Sequence, residues 1–209
     1  MSEEKEIKDD GTIILNLDKL GDPGKIIITD DSLSCTCGAF CSFSALVNNL
    51  ELNSSIITGL WSCPPQKVIR VIFVGTLSNN VLPKDLAIDL VNYLTTNGID
   101  VINSVLEIGG NIIDEMSMEG RMIIANIVIR SGATCGMMMI DKTTIDYLYP
   151  DFADNQKSDC LRHYQEVFNT DDEFPYEEIH KIVVDNLIPI ITDCFSPNNV
   201  ALVAKLTQR

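Results

Sequence analysis

The sequence is short of histidine, of basic residues and of long apolar runs. Its two histidines, His163 and His180, have no partner at metal-ligand spacing, which argues against a histidine-based metal site. Fifteen lysines and arginines stand against 30 aspartates and glutamates, and the net charge of −15 argues against nucleic acid or an anionic membrane as a partner. No apolar run approaches the roughly 20 residues that span a bilayer. The sequence therefore predicts a cytoplasmic protein that binds neither nucleic acid nor membrane.

The seven cysteines match neither a metal site nor a disulfide framework. Cys35, Cys37 and Cys41 form a C-x-C-x3-C run, whereas iron–sulfur loops usually space their ligands by two or more residues and structural zinc needs a fourth ligand. An odd number of cysteines does not suit a set of paired disulfides. The remaining ones are scattered, at Cys63, Cys135, Cys160 and Cys194. We predict small buried thiols and no metal site.

Apolar periodicity predicts strands that alternate with helices. The clearest strand is 68–74, VIRVIFV, a run typical of strands buried on both faces, and the clearest helix begins at Pro83 and ends before Gly98. The pattern of residues 101–108 fits either a helix or a strand. Further strands are predicted at 12–17, 25–29, 137–140 and 179–185, and further helices at 39–50, 54–61, 117–131 and 158–168. This alternation indicates an α/β sandwich.

Composition divides the chain into a short head and one domain. Residues 1–11 are charged and lack apolar periodicity, so they predict an acidic flexible head. Residues 12–209, with 45% hydrophobic residues in the whole chain, can bury a sizeable core in one α/β domain. Pro64 and Pro65 favour a sub-boundary near 64–69.

Residues 117–139, SMEGRMIIANIVIRSGATCGMMM, predict a capped helix, a glycine stop and a buried strand. Ser117 can cap the first free amides, and Gly132 suits the left-handed stop. The helix carries more apolar surface than a solvent-facing helix needs, so we expect it to pack between other elements. Asn126 and Arg130 are four residues apart and share one face of this helix.

This segment resembles the aconitase and 3-isopropylmalate dehydratase large-subunit family, in which it runs S-M-E-G-R-M-x-x-x-N-M-x-x-E-A-G-A. The family's asparagine is kept as Asn126, and its glutamate is replaced by Arg130. The resemblance continues at 81–90, VLPKDLAIDL, at 141–148, DKTTIDYL, and at 195–198, FSPN. It implies that 12–209 is an aconitase-like domain, a layered α/β/α sandwich similar to the aconitase N-terminal domains, with 143–149 helical.

Residues 30–40, DDSLSCTCGAF, match the frame of the family's G-D-S-H-T-x-x-H-G-A-F loop, which supplies an acid pair near the leaving hydroxyl. Asp31 and Ser32 are retained, but Leu33 and Cys37 replace the two histidines. The family's E-V-E-H reads ELNS at 51–54, so another histidine and a carboxylate are missing. The resemblance therefore implies that no side chain at these positions shuttles a proton near neutral pH.

The resemblance also concerns a cofactor. Family members use a four-iron four-sulfur cluster whose open iron polarises the substrate hydroxyl. Its three cysteines lie in a later domain, beyond an S-C-T-N motif, and a swivelling domain brings a serine and an arginine. The resemblance covers only a middle slice of such an enzyme and implies that this chain binds no cofactor by itself.

Each candidate site residue has a structural alternative. Asp31 and Ser32 are catalytic remnants or caps of the following helix, and we favour the caps. Asn126 either retains a ligand contact or bonds a neighbouring turn. Arg130 could bind a substrate carboxylate through its planar fork, but we favour a salt bridge.

Two functions remain open at this point. The first is a catalytically degenerate aconitase-like domain, inactive alone, that binds a small acid or another protein or associates with itself. The second is one subunit of a split hydro-lyase of the isopropylmalate dehydratase type, whose iron–sulfur and swivelling domains are on other chains.

Overall fold

The computed structural model describes residues 6–7, 13–14, 22–168, 174–193 and 196–202; for 6–7, 13–14, 191–193 and 196–202 it describes the backbone alone. The strands are β1 (Glu6–Ile7), β2 (Ile13–Ile14), β3 (Ile26–Thr29), β4 (Phe43–Leu46), β5 (Lys67–Val74), β6 (Ser104–Gly109), β7 (Cys135–Met137), β8 (Glu178–Val183), β9 (Ile190–Asp193) and β10 (Ser196–Leu202). The α-helices are α1 (Asn49–Thr58), α2 (Pro83–Thr96), α3 (Asn111–Asp114), α4 (Met118–Val128), α5 (Lys142–Leu148) and α6 (Asp154–Phe168). Two 3₁₀ helices span Ser32–Phe40 and Ile129–Ser131.

The centre of the fold is a four-stranded parallel sheet in the order β7-β6-β5-β8. Ile69, Val71 and Phe73 alternate along β5 and are each 0% exposed. They share one face with Leu106 and Ile108 of β6 and form the main core with residues of α2, α3 and α4. Period-2 alternation thus places the apolar core on one face of the sheet. The predicted α/β fold class is confirmed.

Local signals in the sequence fix the ends of the core helices. Pro83 occupies the first turn of α2, where its missing amide is not needed, and Gly98 follows the helix at φ +65°. Ser117 caps α4 by accepting a hydrogen bond from Gly120 N at 3.4 Å. Gly132 ends the 3₁₀ turn that follows α4 in the left-handed conformation, at φ +100°. The capped helix and its glycine stop are confirmed.

The first 3₁₀ helix packs against the edge strand β7. A Cβ atom at Gly38 would lie 1.9 Å from the Gly136 carbonyl oxygen, so two backbones meet where only glycine fits. The Met138 amide donates to the Gly38 carbonyl at 3.0 Å. β3 and β4 form a parallel pair, and the 3₁₀ helix is their crossover connection. This unit places residues 30–40 beside α4.

Several predicted elements are wrong or displaced. Residues 39–50 are not one helix, because Cys41 adopts a left-handed conformation at φ 59° and 43–46 pair with β3. The helix predicted at 54–61 is α1, which begins earlier because Asn48 and Glu51 form a capping box. The strand predicted at 137–140 is Cys135–Met137, and the ambiguous 101–108 contains β6. α6 begins four residues before the predicted 158.

Other predictions fall partly outside the described residues. Of the predicted strand 12–17, Ile13 and Ile14 are described and lie in β2, paired antiparallel with Glu6–Ile7. The rest of the predicted head lies outside the described residues, and the division at 64–69 stays a prediction. Within the part of the chain that the structure describes, no helix has both the length and the apolar character needed to cross a membrane.

Candidate functional site

Asp31 caps the first 3₁₀ helix at the carboxyl end of β3. Its Oδ1 accepts a hydrogen bond from Leu33 N at 2.9 Å, and its own amide donates to Thr29 Oγ1 at 3.0 Å. Thr29 is 7% exposed, so the turn is attached to the buried end of the strand. The capping role that the sequence favours for Asp31 is present in this geometry.

Asn126 and Ser32 come together although 94 residues separate them. Asn126 Nδ2 donates to the Ser32 carbonyl oxygen at 2.6 Å. Behind this bond, Ala39 and Phe40 of the 3₁₀ helix pack with Met118 and Ala125 of α4. α4 and the 3₁₀ helix therefore bring three of the four predicted site residues, Asp31, Ser32 and Asn126, to one place.

Arg130 lies one turn beyond Asn126, in the 3₁₀ helix Ile129–Ser131, and is exposed. Among the residues whose side chains the structure describes, no carboxylate forms an ion pair with it, so the salt bridge that the sequence favours is not present there. In the described part of the chain, its guanidinium contacts neither a buried partner nor a stacking aromatic ring. A candidate anion contact at this position would rest on one solvated cation.

The positions of the family's histidines carry no proton shuttle here. Leu33 is 65% exposed and has no ionisable group. Cys37 is 0% exposed, and burial above all raises the pKa of its thiol to about 11, so it is neutral near pH 7. Glu51 accepts the Asn48 amide at 3.3 Å and belongs to the capping box of α1. General acid–base chemistry has no candidate at these positions.

Four thiols lie near one another behind the site but do not suit a metal cluster. Burial is the main cause that raises the pKa of Cys35 and Cys41 to about 11 and of Cys135 to about 12. In the described residues, no three histidine, cysteine, aspartate or glutamate side chains converge to hold a metal ion. The described residues therefore do not form a site that fits an iron–sulfur cluster.

The prediction of small buried thiols holds for these four but not for every cysteine. Cys63 is exposed, Cys160 is half-buried and Cys194 lies outside the described residues.

Arg121 is a key residue that the sequence reading did not single out. It is 1% exposed, and its Nη1 and Nη2 donate to Asp141 Oδ1 and Oδ2 at 2.8 and 2.5 Å. Its Nε donates to the carbonyl oxygens of Ile113 and Met116 at 3.1 and 3.2 Å. Arg121 thereby connects α3, α4 and α5 behind the candidate site. The available signal was its spacing, three and four residues before Ile124 and Ala125 on the apolar face of α4.

α1 and the residues at its end carry exposed apolar side chains. Leu50 is 82% exposed and Ile57 is 84% exposed, and no residue of α1 is buried. Ile56, also on α1, is 62% exposed, and Leu60, just beyond the helix end, is 76% exposed. We call Leu50, Ile56, Ile57 and Leu60 the α1 apolar surface. Large exposed apolar patches on a protein surface are typical of interaction sites.

Fold and site together define a parallel α/β domain whose loop after β3 meets a buried helix. A model of the aconitase family (aconitate hydratase) matches residues 12–209. The chain belongs to the aconitase family.

Individual relatives share the same description. The chain is 34% identical over 186 residues to a 3-isopropylmalate dehydratase large subunit of Citrifermentans bemidjiense, which covers 88% of this chain and 43% of that protein. It is 32% identical over 185 residues to the protein of the same description in Geobacter sulfurreducens, with 88% and 43% covered. For Campylobacter concisus the values are 34% over 178 residues, 85% and 40%. The chain thus spans less than half the length of these relatives.

Proposed function

We propose that this chain is a catalytically degenerate aconitase-family domain that acts by binding another protein. The observation that carries the proposal is the α1 apolar surface. An isolated helix of ten residues is marginal in water, and most helices are stabilised by packing one apolar face. Leu50 and Ile57 are seven residues apart on one face of α1, and both are more than 80% exposed in the part of the chain that the structure describes.

The replacement of the family's catalytic residues supports the proposal that the domain is catalytically degenerate. Leu33 and Cys37 stand where the family's loop has histidines, and Arg130 stands where the family has a glutamate. The amide nitrogen of Asn126 is already engaged by the Ser32 carbonyl. Among the described residues, no three histidine, cysteine, aspartate or glutamate side chains converge on a metal site. The domain therefore binds no iron–sulfur cluster through its own residues and does not dehydrate a hydroxy acid alone.

The partner we propose is a polypeptide that carries the remaining part of an aconitase-family enzyme. The relatives are more than twice as long as the segment that matches here. We infer that the remainder of such an enzyme covers a surface that the matched segment exposes by itself. The α1 apolar surface, directly after the β3–β4 unit that forms the candidate site, is suited to that contact.

A second candidate function is one subunit of a split hydro-lyase. The relatives are described as large subunits of 3-isopropylmalate dehydratase, and this description favours an enzyme assembled from several chains. In that case Asn126 and Arg130 would face a site completed by the partner. The partner would then supply the cluster and the acid–base groups that the positions of Leu33 and Cys37 do not provide.

The test begins with anaerobic purification of the tagged chain from its native cell, mass spectrometry of co-purifying proteins and an iron assay. An aconitase-family partner found this way is then purified separately and titrated against the chain. We expect Leu50→Ser with Ile57→Ser to weaken binding by about tenfold or more. The matched control is Ile179→Ser with Val183→Ser, two residues on β8 that are 61% and 64% exposed. Equal affinity of both double variants, or no binding, would contradict the proposal.

Activity separates the two candidate functions. Purified chain, partner and mixture are assayed anaerobically for dehydration of 3-isopropylmalate and citrate. An inactive chain whose addition leaves the partner's rate unchanged supports the degenerate binding domain. A rate that appears only in the mixture supports the split hydro-lyase, and dehydration by the chain alone contradicts both.

A further inference from the structure

A cavity of about 450 Å³ lies on the face of the four-stranded sheet opposite the main core. Val68 and Val105 are register partners on β5 and β6, and Met137 is the partner of Glu107 on β7, so their side chains leave the same face of the sheet. Ile26 and Phe43, partners on β3 and β4, line it from the smaller sheet. The two sheets therefore form two walls of an apolar space that is open to solvent, and Val167, Phe168 and Phe174 line it as well. The candidate site at Asn126 does not use this space.

Among the residues whose side chains the structure describes, Glu107 is the one acidic residue that lines this apolar space. The residue is 7% exposed. Its carboxylate is 3.2 Å from Arg70 Nη1, and its oxygens accept from the Tyr176 hydroxyl at 3.1 and 3.0 Å. The Arg70 guanidinium also lies over the Tyr176 ring, 5.2 Å from its centroid. Arg70 and Tyr176 therefore fix the orientation of a buried carboxylate and offset its charge.

The carboxylate retains capacity for a further partner. An ionised carboxylate offers about four lone-pair positions, and the described contacts from Arg70 and Tyr176 do not fill all of them. Lys25, the other charged residue of the lining, has its Nζ 3.1 Å from an Asp22 carboxylate oxygen. The polar groups of the cavity thus offer a hydrogen-bond acceptor and little net positive charge.

We infer that this cavity binds a small, largely apolar molecule that carries a hydrogen-bond donor, such as an amine or a hydroxyl, and no negative charge. Its volume lies in the range of small-molecule sites, which are mostly apolar with a few placed polar groups. A carboxylate ligand would bring a second negative charge close to Glu107 in an apolar environment, where Arg70 is already paired with the first. The site differs in ligand chemistry from a hydroxy-acid site. It does not depend on the proposed protein partner.

The test uses two fluorescent probes of similar size, one that matches the inferred ligand and one that carries a negative charge. N-phenyl-1-naphthylamine is neutral, apolar and carries one N–H donor, whereas 8-anilinonaphthalene-1-sulfonate adds an anionic sulfonate. We expect the amine to bind with one probe per chain, and at least about tenfold more tightly than the sulfonate. Because Glu107 causes the discrimination, Glu107→Gln should reduce the ratio of the two affinities by about threefold or more.

A substitution that fills the cavity tests whether the amine probe binds there. Val68→Trp places an indole in the cavity and should weaken amine binding by about tenfold or more. The matched control is Val183→Trp. Val183 is exposed and lies on the same face of the sheet but outside the lining, so this variant should bind the amine as the unmodified chain does. Circular dichroism and urea unfolding establish that both variants fold. Absence of amine binding, equal effects of the two tryptophans, or tighter binding of the sulfonate would overturn the inference.

Discussion

Arg121 shows how a single buried charge can organise the region behind the candidate site. Its guanidinium donates hydrogen bonds to both carboxylate oxygens of Asp141. Because Arg121 is 1% exposed, water does not compete for these bonds. Removing one partner of such a pair leaves an uncompensated charge and unpaired carbonyl groups. Asp141 in turn caps α5 by accepting from Thr144 N at 2.9 Å. One ion pair thus connects α4 with α5, the helices that precede and follow β7 in the chain.

The same pair predicts a dependence of stability on pH. Burial alone would raise the pKa of the Asp141 carboxyl, but hydrogen bonds from Arg121 and Thr144 outweigh it and hold the pKa below its ordinary 3.8. A carboxyl whose pKa is lowered by folding stabilises the folded state fully above the unfolded pKa. This contribution is lost as the pH falls below 3.8 and through the folded pKa.

We therefore expect the difference in the free energy of unfolding between the unmodified chain and Asp141→Asn to be constant near neutral pH and to shrink below pH 3.8. Urea unfolding of both proteins over a series of pH values measures it. A difference that stays constant into the acid range, or grows there, would show that the carboxylate charge is not what Arg121 stabilises.

At the scale of elements, the contact between the first 3₁₀ helix and β7 is the tightest backbone approach that supports the site. Gly38→Ala would direct a methyl group at the Gly136 carbonyl, 1.9 Å from the new Cβ, and a strand backbone cannot shift cheaply. We expect the free energy of unfolding to fall by about 1–3 kcal/mol or more, as in overpacked cores. Urea unfolding at neutral pH measures the change.

Gly109→Ala is the matched control for this substitution. A Cβ at Gly109 meets no atom within 4 Å, so the new methyl group has room. Both substitutions restrict the unfolded chain in the same way, and the control removes that contribution. A Gly38→Ala protein as stable as Gly109→Ala would mean that the 3₁₀ helix can move away from β7.

The elements also show which parts of the fold the sequence could predict. α2 and α4 were predictable because Pro83, Ser117 and Gly132 act locally, within a turn of the helix ends they define. The β3–β4 unit was not, because 43–46 becomes a strand only through pairing with 26–29 across the 3₁₀ helix. Apolar residues in 39–50 fit a buried helix equally well, and the left-handed Cys41 that interrupts it has no glycine to reveal it.

The candidate site was predictable to a similar extent. The cap at Asp31 follows from residue type and position, and α4 could be placed from its pattern. The bond from Asn126 to Ser32 and the ion pair of Arg121 with Asp141 depend on how α4 packs against distant segments. Local periodicity carries no information about such partners. The same holds for Glu107, whose cavity is formed by two separate sheets.

At the scale of the whole molecule, charge opposes compactness. A net charge of −15 is distributed over 209 residues, and folding brings these charges closer together. At about 0.01 M ionic strength the Debye length is about 30 Å, comparable with the size of the domain, whereas at about 0.15 M it is about 8 Å. Salt should therefore screen repulsion between distant carboxylates more than it weakens the few exposed ion pairs, each of which contributes little.

We expect the free energy of unfolding to rise when sodium chloride is raised from about 0.01 M to about 0.15 M. Urea is the appropriate denaturant, because it is uncharged and leaves the ionic strength unchanged. The combined variant Asp30→Asn, Glu115→Gln and Asp151→Asn removes three exposed negative charges that form no ion pair among the described residues. It should be more stable than the unmodified chain at low salt and respond less to added salt. If instead salt lowered the stability of both proteins equally, local ion pairs such as Lys67 with Asp100 would outweigh the overall repulsion.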